Sequence, residues 1–309
     1  MQKEVRFLWP VYLMNLFFSA NFYLPIWILF YQSRGLNIAE IGFVLSGTYL
    51  ASFIFEYPTG IFADKYGRKL SLLISLALVT LSLVIEVNSF SVLQFYIASL
   101  LFGCGWAFSS GSLQALVYDS LKDRKLEKLN SKVLGIIDVF SSVGAFVAAF
   151  IGAFFYSFNN TLPYWITMLT GGAGFISLLF FKEPKYKKAG EKIYFFKNFK
   201  TGLSLLWKNP VLYSLLILYI PLFFFDEAWY TAKQPFLIQL GLPLVLLGAY
   251  EAFKNLFFII GGLTLPKLLN KFGHKTLLAG VVIAQALTWW ILGTNNLYEV
   301  VIFSYSLIL

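Results

Sequence analysis

Charged side chains are scarce in this chain of 309 residues, where Asp, Glu, Lys and Arg together make up 13%. That is about half of the ~25% found in an ordinary soluble domain. Cysteine and histidine are scarcer still, with one of each, which excludes an intramolecular disulfide and a multi-histidine metal site. The chain is instead 59% hydrophobic, with 34 Phe, 18 Tyr and 8 Trp. This composition excludes a disordered chain and a coiled coil, and it predicts a protein whose main solvent is lipid.

Motifs for catalysis and nucleotide binding are missing as well. The sequence has no G-x-x-x-x-G-K-[ST] loop, no H-E-x-x-H motif, no serine elbow and no cysteine pair. We therefore predict no enzymatic activity, no catalytic residues, no cofactor and no metal. The net charge of +9 comes from basic residues placed between long apolar runs. That placement favours the cytoplasmic face of a membrane over nucleic acid as the partner of these residues.

Nine apolar runs are long enough to cross a bilayer, which takes about 20 residues in a helix. They are 7–31, 41–63, 70–88, 91–118, 133–157, 162–181, 211–231, 244–266 and 276–294. A tenth run begins at Leu297 and reaches the last residue, Leu309. The pattern predicts an all-α polytopic membrane protein.

The basic residues predict the orientation of these spans. If the runs cross the membrane in alternation from a cytoplasmic N-terminus, 21 of the 24 basic residues fall in cytoplasmic segments and only Arg34 falls in an outer loop. Because basic loops stay in the cytoplasm, we predict a multi-pass protein of the plasma membrane with its N-terminus in the cytoplasm.

Two blocks of sequence recur at an offset of 206 residues. Gly35-Leu36 with Gly42 returns as Gly241-Leu242 with Gly248, and the block 64–69 (DKYGRK) returns as 270–275 (NKFGHK). Six spans separate the copies, so both have the same orientation, as in a parallel repeat of six-helix bundles. We predict an N-terminal half over 1–181, a cytoplasmic central loop over 182–209 and a partial C-terminal half over 210–309. The counterpart of Phe181 would lie at 387, which predicts that the second half is truncated in the tenth span.

The loop between the second and third spans reads GIFADKYGRK from Gly60 to Lys69. It resembles the signature G-x-L-A-D-R-x-G-R-K of the major facilitator superfamily, with Phe62 in place of Leu and Lys65 in place of Arg. The resemblance implies the major facilitator fold and a cytoplasmic gate that locks the two six-helix halves together. The gate residues that it implies are Gly60, Asp64, Lys65, Gly67, Arg68 and Lys69.

Two departures from relatives in that superfamily bear on mechanism. Proton-driven members often carry an Arg four residues before a glycine pair in the fourth helix. Here the glycines are Gly103 and Gly105, and the Arg position is Ser99. The glycine and proline signature of drug/proton antiporters in the fifth helix is replaced in part by Ala148, Ala149 and Ala153. Small residues remain, so we expect close packing of that helix without a proline kink.

Ionisable residues within apolar runs are costly in lipid and mark candidate functional positions. Glu251 and Lys254 share one face of the eighth span, either as an ion pair that neutralises two charges or as a pair that lines the cavity and binds charge or a proton. Lys233 is predicted to be interfacial. The remaining candidates for the cavity or for coupling are Glu56, Asp138, Asp226 and Glu227.

The sequence thus predicts a monomeric secondary active transporter in the lipid bilayer that moves a small-molecule substrate by alternating access, coupled to a proton or another ion. Efflux is one open direction. The alternatives are a sensor or assembly factor on a transporter scaffold and, least favoured by the missing motifs, a membrane-embedded enzyme.

Overall fold

The computed structural model describes residues 3–184 and 204–294, and every regular element in them is helical. The main helices are α1 (Trp9–Phe18), α2 (Trp27–Ser33), α3 (Ile38–Tyr66), α4 (Arg68–Val87), α5 (Val92–Ser109), α6 (Ser112–Lys122), α7 (Asn130–Phe158), α8 (Leu162–Leu179), α9 (Pro210–Gln239) and α10 (Leu244–Thr294). Within the described residues, six helical stretches are long and apolar enough to cross a membrane: Ile38–Tyr66, Arg68–Val87, Val92–Lys122, Glu127–Phe158, Leu162–Leu179 and Leu212–Gln239. The prediction of an all-α multi-pass protein is confirmed.

The first predicted span, 7–31, is not one continuous helix. Helix α1 ends at Phe18 and α2 begins at Trp27, and the residues between them form turns. Pro25 lies in this gap, and a proline ring both lacks an N–H and disfavours helical backbone in the residue before it. Hydropathy, which defined the run 7–31, does not register Pro25.

The parallel repeat is visible in the backbone. The first residues of α3 and α10 are 206 residues apart, and the last residues of α2 and α9 are also 206 residues apart. Two glycine pairs at the same offset share the positive φ that favours glycine. These pairs are Gly35 (91°) with Gly241 (87°), and Gly67 (110°) with Gly273 (74°). Because Gly273 is non-helical, α10 consists of two helices joined at that residue, as the eighth and ninth predicted spans require.

The described residues form two compact units. In the first (1–33, 129–182 and 234–309, as far as described), α1 packs on α7 and α8, and α7 also packs on α10. Gly144 and Gly152 of α7 lie so close to the main chain of Leu16 and Phe22 that a Cβ atom would overlap their carbonyl oxygens. Ala148, Ala149 and Ala153 are buried beside them. The predicted close packing of this small-residue helix is confirmed.

In the second unit (34–128 and 183–233, as far as described), α5 packs on α3 and α4. Gly103 approaches the carbonyl of Thr48, and Ser99 is buried. The Thr48 hydroxyl donates a hydrogen bond of 3.3 Å to the Ser99 carbonyl. Ser99, the residue at the position of the relatives' Arg, is therefore part of a close helix contact.

Two predictions fall largely or wholly outside the described residues. They are the central loop over 182–209, of which 185–203 are not described, and the tenth span from Leu297.

Candidate functional site

The signature loop joins two helices through a single glycine. Helix α3 ends at Tyr66, Gly67 takes a φ of 110°, and α4 begins at Arg68. The Arg68 guanidinium pairs with the Asp64 carboxylate one helical turn earlier. The Lys65 ammonium lies over the Tyr66 ring, 4.9 Å from its centroid. Asp64, Lys65, Gly67 and Arg68 thus lie together at this turn, where Arg68 matches the charge of Asp64.

A second carboxylate reaches this loop, and the sequence reasoning missed it. The Lys69 backbone N–H donates a hydrogen bond of 3.2 Å to Glu183 Oε1. The same carboxylate lies against Gly67, where a Cβ atom would overlap it. A negative charge at the first turn of α4 is favourable because the free N–H groups and the helix dipole are positive there. The available signal was an acidic residue among lysines directly after the sixth span, at 182–185.

Glu56 lies on α3, one turn before Thr59, and forms a hydrogen bond with a residue at the end of α5. Ser110 Oγ donates a hydrogen bond of 2.6 Å to Glu56 Oε1. Ser110 caps the C-terminus of α5, and Gly111 after it has a φ of 67°, which bends the chain into α6. Glu56 is exposed in the structure, so its contact with Ser110 is a surface contact between α3 and the α5–α6 bend.

Glu227 is joined to the second span by a short hydrogen bond. The Tyr49 hydroxyl on α3 donates to Glu227 Oε2 on α9 at 2.6 Å. The Phe223 ring, one turn earlier on α9, meets the Tyr49 ring edge-on with centroids 6.5 Å apart. Asp226 and Glu227 are both partly buried. Adjacent residues on a helix diverge by about 100°, so Asp226 lies on a different face of α9 from Glu227.

Lys233, which the sequence predicts to be interfacial, is buried within the protein, with 1% of its surface exposed. Its ammonium lies 4.9 Å from the centroid of the Tyr230 ring, at a distance typical of a cation–π interaction. A long aliphatic stem lets a lysine near a span's end reach either water or the protein interior, and the sequence does not distinguish the two.

Glu251 and Lys254 form the ion pair that their spacing predicted. The Lys254 ammonium lies 3.6 Å from Glu251 Oε2, and the Glu251 side chain is 5% exposed against 25% for Lys254. Asn255 extends the polar face by donating to the Glu251 carbonyl at 2.9 Å. Asp138 on α7 is exposed. The contact between the two side chains fits both interpretations of the pair, mutual neutralisation and a lining of the cavity.

The gap between α1 and α2 is the other feature that sequence reasoning missed. The Phe22 N–H donates to Thr167 Oγ1 at 2.9 Å, and Thr170 Oγ1 donates to the Ala20 carbonyl at 3.3 Å. Both threonines belong to α8, so the main-chain groups freed by the break are satisfied by a neighbouring helix. Pro25 was the signal that could have located this gap.

Comparison with known proteins gives the family. The family model described as Major Facilitator Superfamily matches residues 8–309. The "Uncharacterized MFS-type transporter YxaM" of Bacillus subtilis is 25% identical over 262 residues, which cover 82% of this chain and 62% of that protein. The "Uncharacterized MFS-type transporter MJ1560" of Methanocaldococcus jannaschii is 21% identical over 311 positions, covering 100% of this chain and 79% of that protein. The chain thus spans less than two thirds of the length of YxaM.

Solved structures share the fold at low identity. The D323A mutant of the nucleoside transporter NupG superposes with a TM-score of 0.83 at 14% identity, covering 97% of this chain and 78% of that one. A bacterial homologue of the human lysosomal transporter Spinster gives 0.71 at 14%, covering 100% and 72%. A D-xylose–proton symporter gives 0.64 at 12%, covering 97% and 77%. The family match agrees with the prediction of a transporter and not an enzyme. It also confirms the resemblance of the signature loop: this chain belongs to the Major Facilitator Superfamily.

Proposed function

We propose that the protein is a secondary active transporter that moves a small molecule across the plasma membrane by alternating access, driven by a gradient of protons or another ion. Residues 1–181 and 210–309 belong to the two moving halves, and 182–209 link them on the cytoplasmic side. The N-terminus lies in the cytoplasm, and the functional unit is a monomer in the lipid bilayer. Export and import are both compatible with this mechanism.

The observation that carries the proposal is the hydrogen bond between Tyr49 and Glu227. It joins the second span, from the proposed first half, to the seventh span, from the proposed second half. Alternating access moves the halves against each other around a fixed site, so a bond between them has to form and break in the cycle. A carboxylate in an apolar span is costly when charged, and its bond to a hydroxyl changes in strength with its protonation. Glu227 is therefore the proposed site where proton binding is coupled to the movement of the halves.

The charged cluster at the signature loop supports the same mechanism. The Asp64–Arg68 pair and the Glu183 carboxylate at the start of α4 hold the loop in one conformation. We assign Gly60, Asp64, Lys65, Gly67, Arg68 and Lys69 to the cytoplasmic gate. Glu251 with Lys254, Asp138, Asp226 and Glu56 are the further candidates for coupling or for the cavity. The D-xylose–proton symporter shares this fold, so the fold accommodates proton coupling.

The test is uptake into proteoliposomes with and without an imposed pH gradient, using a panel of radiolabelled metabolites, nucleosides and organic ions. For a substrate found in this way, Glu227→Gln should lose at least ten-fold in gradient-driven uptake and retain counterflow, which needs no driving ion. Tyr49→Phe should lose less, because the carboxylate remains. Glu4→Gln, which changes an exposed carboxylate near the N-terminus, is the matched control.

Two outcomes would contradict the proposal at different levels. Full gradient-driven uptake by Glu227→Gln would exclude coupling at Glu227 and leave the other candidates. A folded wild-type protein that transports no member of the panel in either mode would favour the sensor or assembly factor.

A further inference from the structure

The gap in the first span contains a side chain in the place of a helical hydrogen bond. In a continuous helix, the Ile28 N–H would donate to the Leu24 carbonyl four residues earlier. Here the Ile28 N–H donates to Gln234 Oε1 at 2.9 Å, and Gln234 Nε2 donates to the Leu24 carbonyl at 2.9 Å. The amide of Gln234 is thus inserted between the two groups. Insertion of a side chain into the backbone ladder is one of the identifiable causes of a sharp break in a helix.

Gln234 differs from the other groups that satisfy this gap. Thr167 and Thr170 reach it from α8, in the same predicted half as the first span. Gln234 reaches it from α9, in the other predicted half, and is 1% exposed. Pro235 follows it directly and removes one N–H from α9, which loosens the helix at that point. The contact therefore joins two helices that are each weakened where they meet.

The contact also lies at a special position in the repeat. Ile28 and Gln234 are 206 residues apart, which is the offset of the two repeats. Equivalent residues of two copies related by a two-fold axis touch only where they lie close to that axis. The first and seventh spans begin the two repeats, and this contact is near the ends that the charge pattern predicts to be outside. Groups at such a position separate when the two halves rock apart on the outer side.

We propose that Gln234 is a reversible latch of the outer gate. With its amide inserted, it holds the first span broken and fastens it to the seventh. When it withdraws, the Leu24 carbonyl and the Ile28 N–H bond to each other, and the first span closes toward a continuous helix. Both states satisfy the two main-chain groups, so neither group is left unpaired when the latch switches. Gln234 acts as a positioning residue, and its part in a transport cycle rests on the proposed function.

The experiment measures the latch without a substrate. In the full chain with Cys104→Ser, which leaves no native cysteine, Leu24→Cys reports on the separation of the first and seventh spans at the outer gate. The readout is its rate of reaction with a membrane-impermeant maleimide added outside. Gln234→Leu should raise that rate at least three-fold. Gln239→Leu, the same change at an exposed position of the same helix, should leave it unchanged. Amide exchange at Ile28 should stay as slow as in the wild type, because the N–H transfers to the Leu24 carbonyl.

A static brace gives the opposite pattern. In that case Gln234→Leu leaves the Ile28 N–H without an acceptor, so its exchange accelerates while the labelling rate stays at the control value. Either that pattern or labelling equal to that of Gln239→Leu overturns the latch. Since neither readout needs transport, a protein that transports nothing still tests the latch. Normal transport with unchanged labelling refutes the latch alone.

A second variant guards against a folding defect. A protonated Glu at 234 has the shape and hydrogen-bonding pattern of Gln, whereas its carboxylate accepts from Ile28 but repels the Leu24 carbonyl. Labelling of Gln234→Glu, normalised to Gln239→Glu at each pH, should therefore be slow at low pH and at least three-fold faster at high pH, reversibly in one sample. A normalised rate that does not change with pH would also overturn the proposal.

Discussion

At the scale of single residues, the two glycines of the signature loop, Gly60 and Gly67, have different structural roles. Gly67 has a φ of 110° and lies against the Glu183 carboxylate, so an added Cβ meets both backbone strain and overlap. Gly60 lies inside α3 with nothing within 4 Å of an added Cβ. The signature does not distinguish the two glycines. In the structure it is Gly67 that needs the positive φ that glycine tolerates.

Gly67→Ala should therefore destabilise the protein by about 1–3 kcal/mol, the usual cost of a strained backbone position. Gly60→Ala should be neutral or stabilise by about 0.5–1 kcal/mol, because alanine favours a helix interior over glycine. Thermal unfolding of the two variants in the same detergent compares them. Equal melting temperatures would mean that the loop relaxes around the new side chain.

The Glu251–Lys254 pair permits a sharper test because its two partners differ in burial. Lys254→Met removes the ammonium from beside a carboxylate that is 5% exposed, whereas Glu251→Gln removes the carboxylate from beside an ammonium that is 25% exposed. We expect Lys254→Met to cost about 3–5 kcal/mol, the range for breaking a buried pair, and Glu251→Gln to cost less. The double change Glu251→Gln with Lys254→Met should be better tolerated than Lys254→Met alone, because no charge is left uncompensated.

A double-mutant cycle on the free energy of unfolding measures this coupling. Additive effects would show that the pair contributes no neutralisation. Uptake and counterflow in the same three variants then separate structure from function. Full gradient-driven uptake by the double mutant would assign the pair a structural role only, whereas retained folding with lost uptake would place Glu251 in coupling.

At the scale of helices, the spacing of small residues on α7 determines how closely it approaches α1. Gly144 and Gly152 are two turns apart, and each meets a main-chain carbonyl of the first span. Gly135, on the same helix, has nothing within 4 Å of an added Cβ. The second of these contacts is at Phe22, so the close approach of α7 extends into the gap of the first span.

Gly152→Ala should consequently destabilise the protein by about 1–3 kcal/mol, as expected when a tight contact is overpacked. Gly135→Ala provides the control on the same helix and should be neutral or slightly stabilising. Thermal unfolding and the labelling rate of Leu24→Cys are the measurements. A stable Gly152→Ala with unchanged labelling would mean that α1 and α7 can separate without disturbing the gap.

At the scale of the whole molecule, the sequence predicted what depends on composition, charge and repetition. The offset of 206 residues anticipated the shared start of α3 and α10 and the shared backbone of Gly67 and Gly273. It did not predict the contacts of Glu183, Glu227 or Gln234. Their partners lie 114, 178 and 206 residues away, and no local pattern records which distant groups a helix meets. Pro25 indicates the break in the sequence. The hydrogen bonds from α8 and α9 to the main-chain groups of the gap could not be predicted from it.

The orientation in the membrane is the property of the whole molecule that the charges predict most directly. With 21 basic residues in alternate connections and one in the others, the segment Lys122–Lys132 should face the cytoplasm and the turn at 159–161 should face outward. Lys128 and Asn160 are exposed in these two connections. In a Cys104→Ser background, Asn160→Cys should react with an impermeant maleimide added to intact cells, and Lys128→Cys should react only after the membrane is opened. Labelling of position 128 from outside would show that the orientation is the reverse of the predicted one. The proposed gate at 60–69 would then face outward, and the Gln234 latch would lie on the cytoplasmic side.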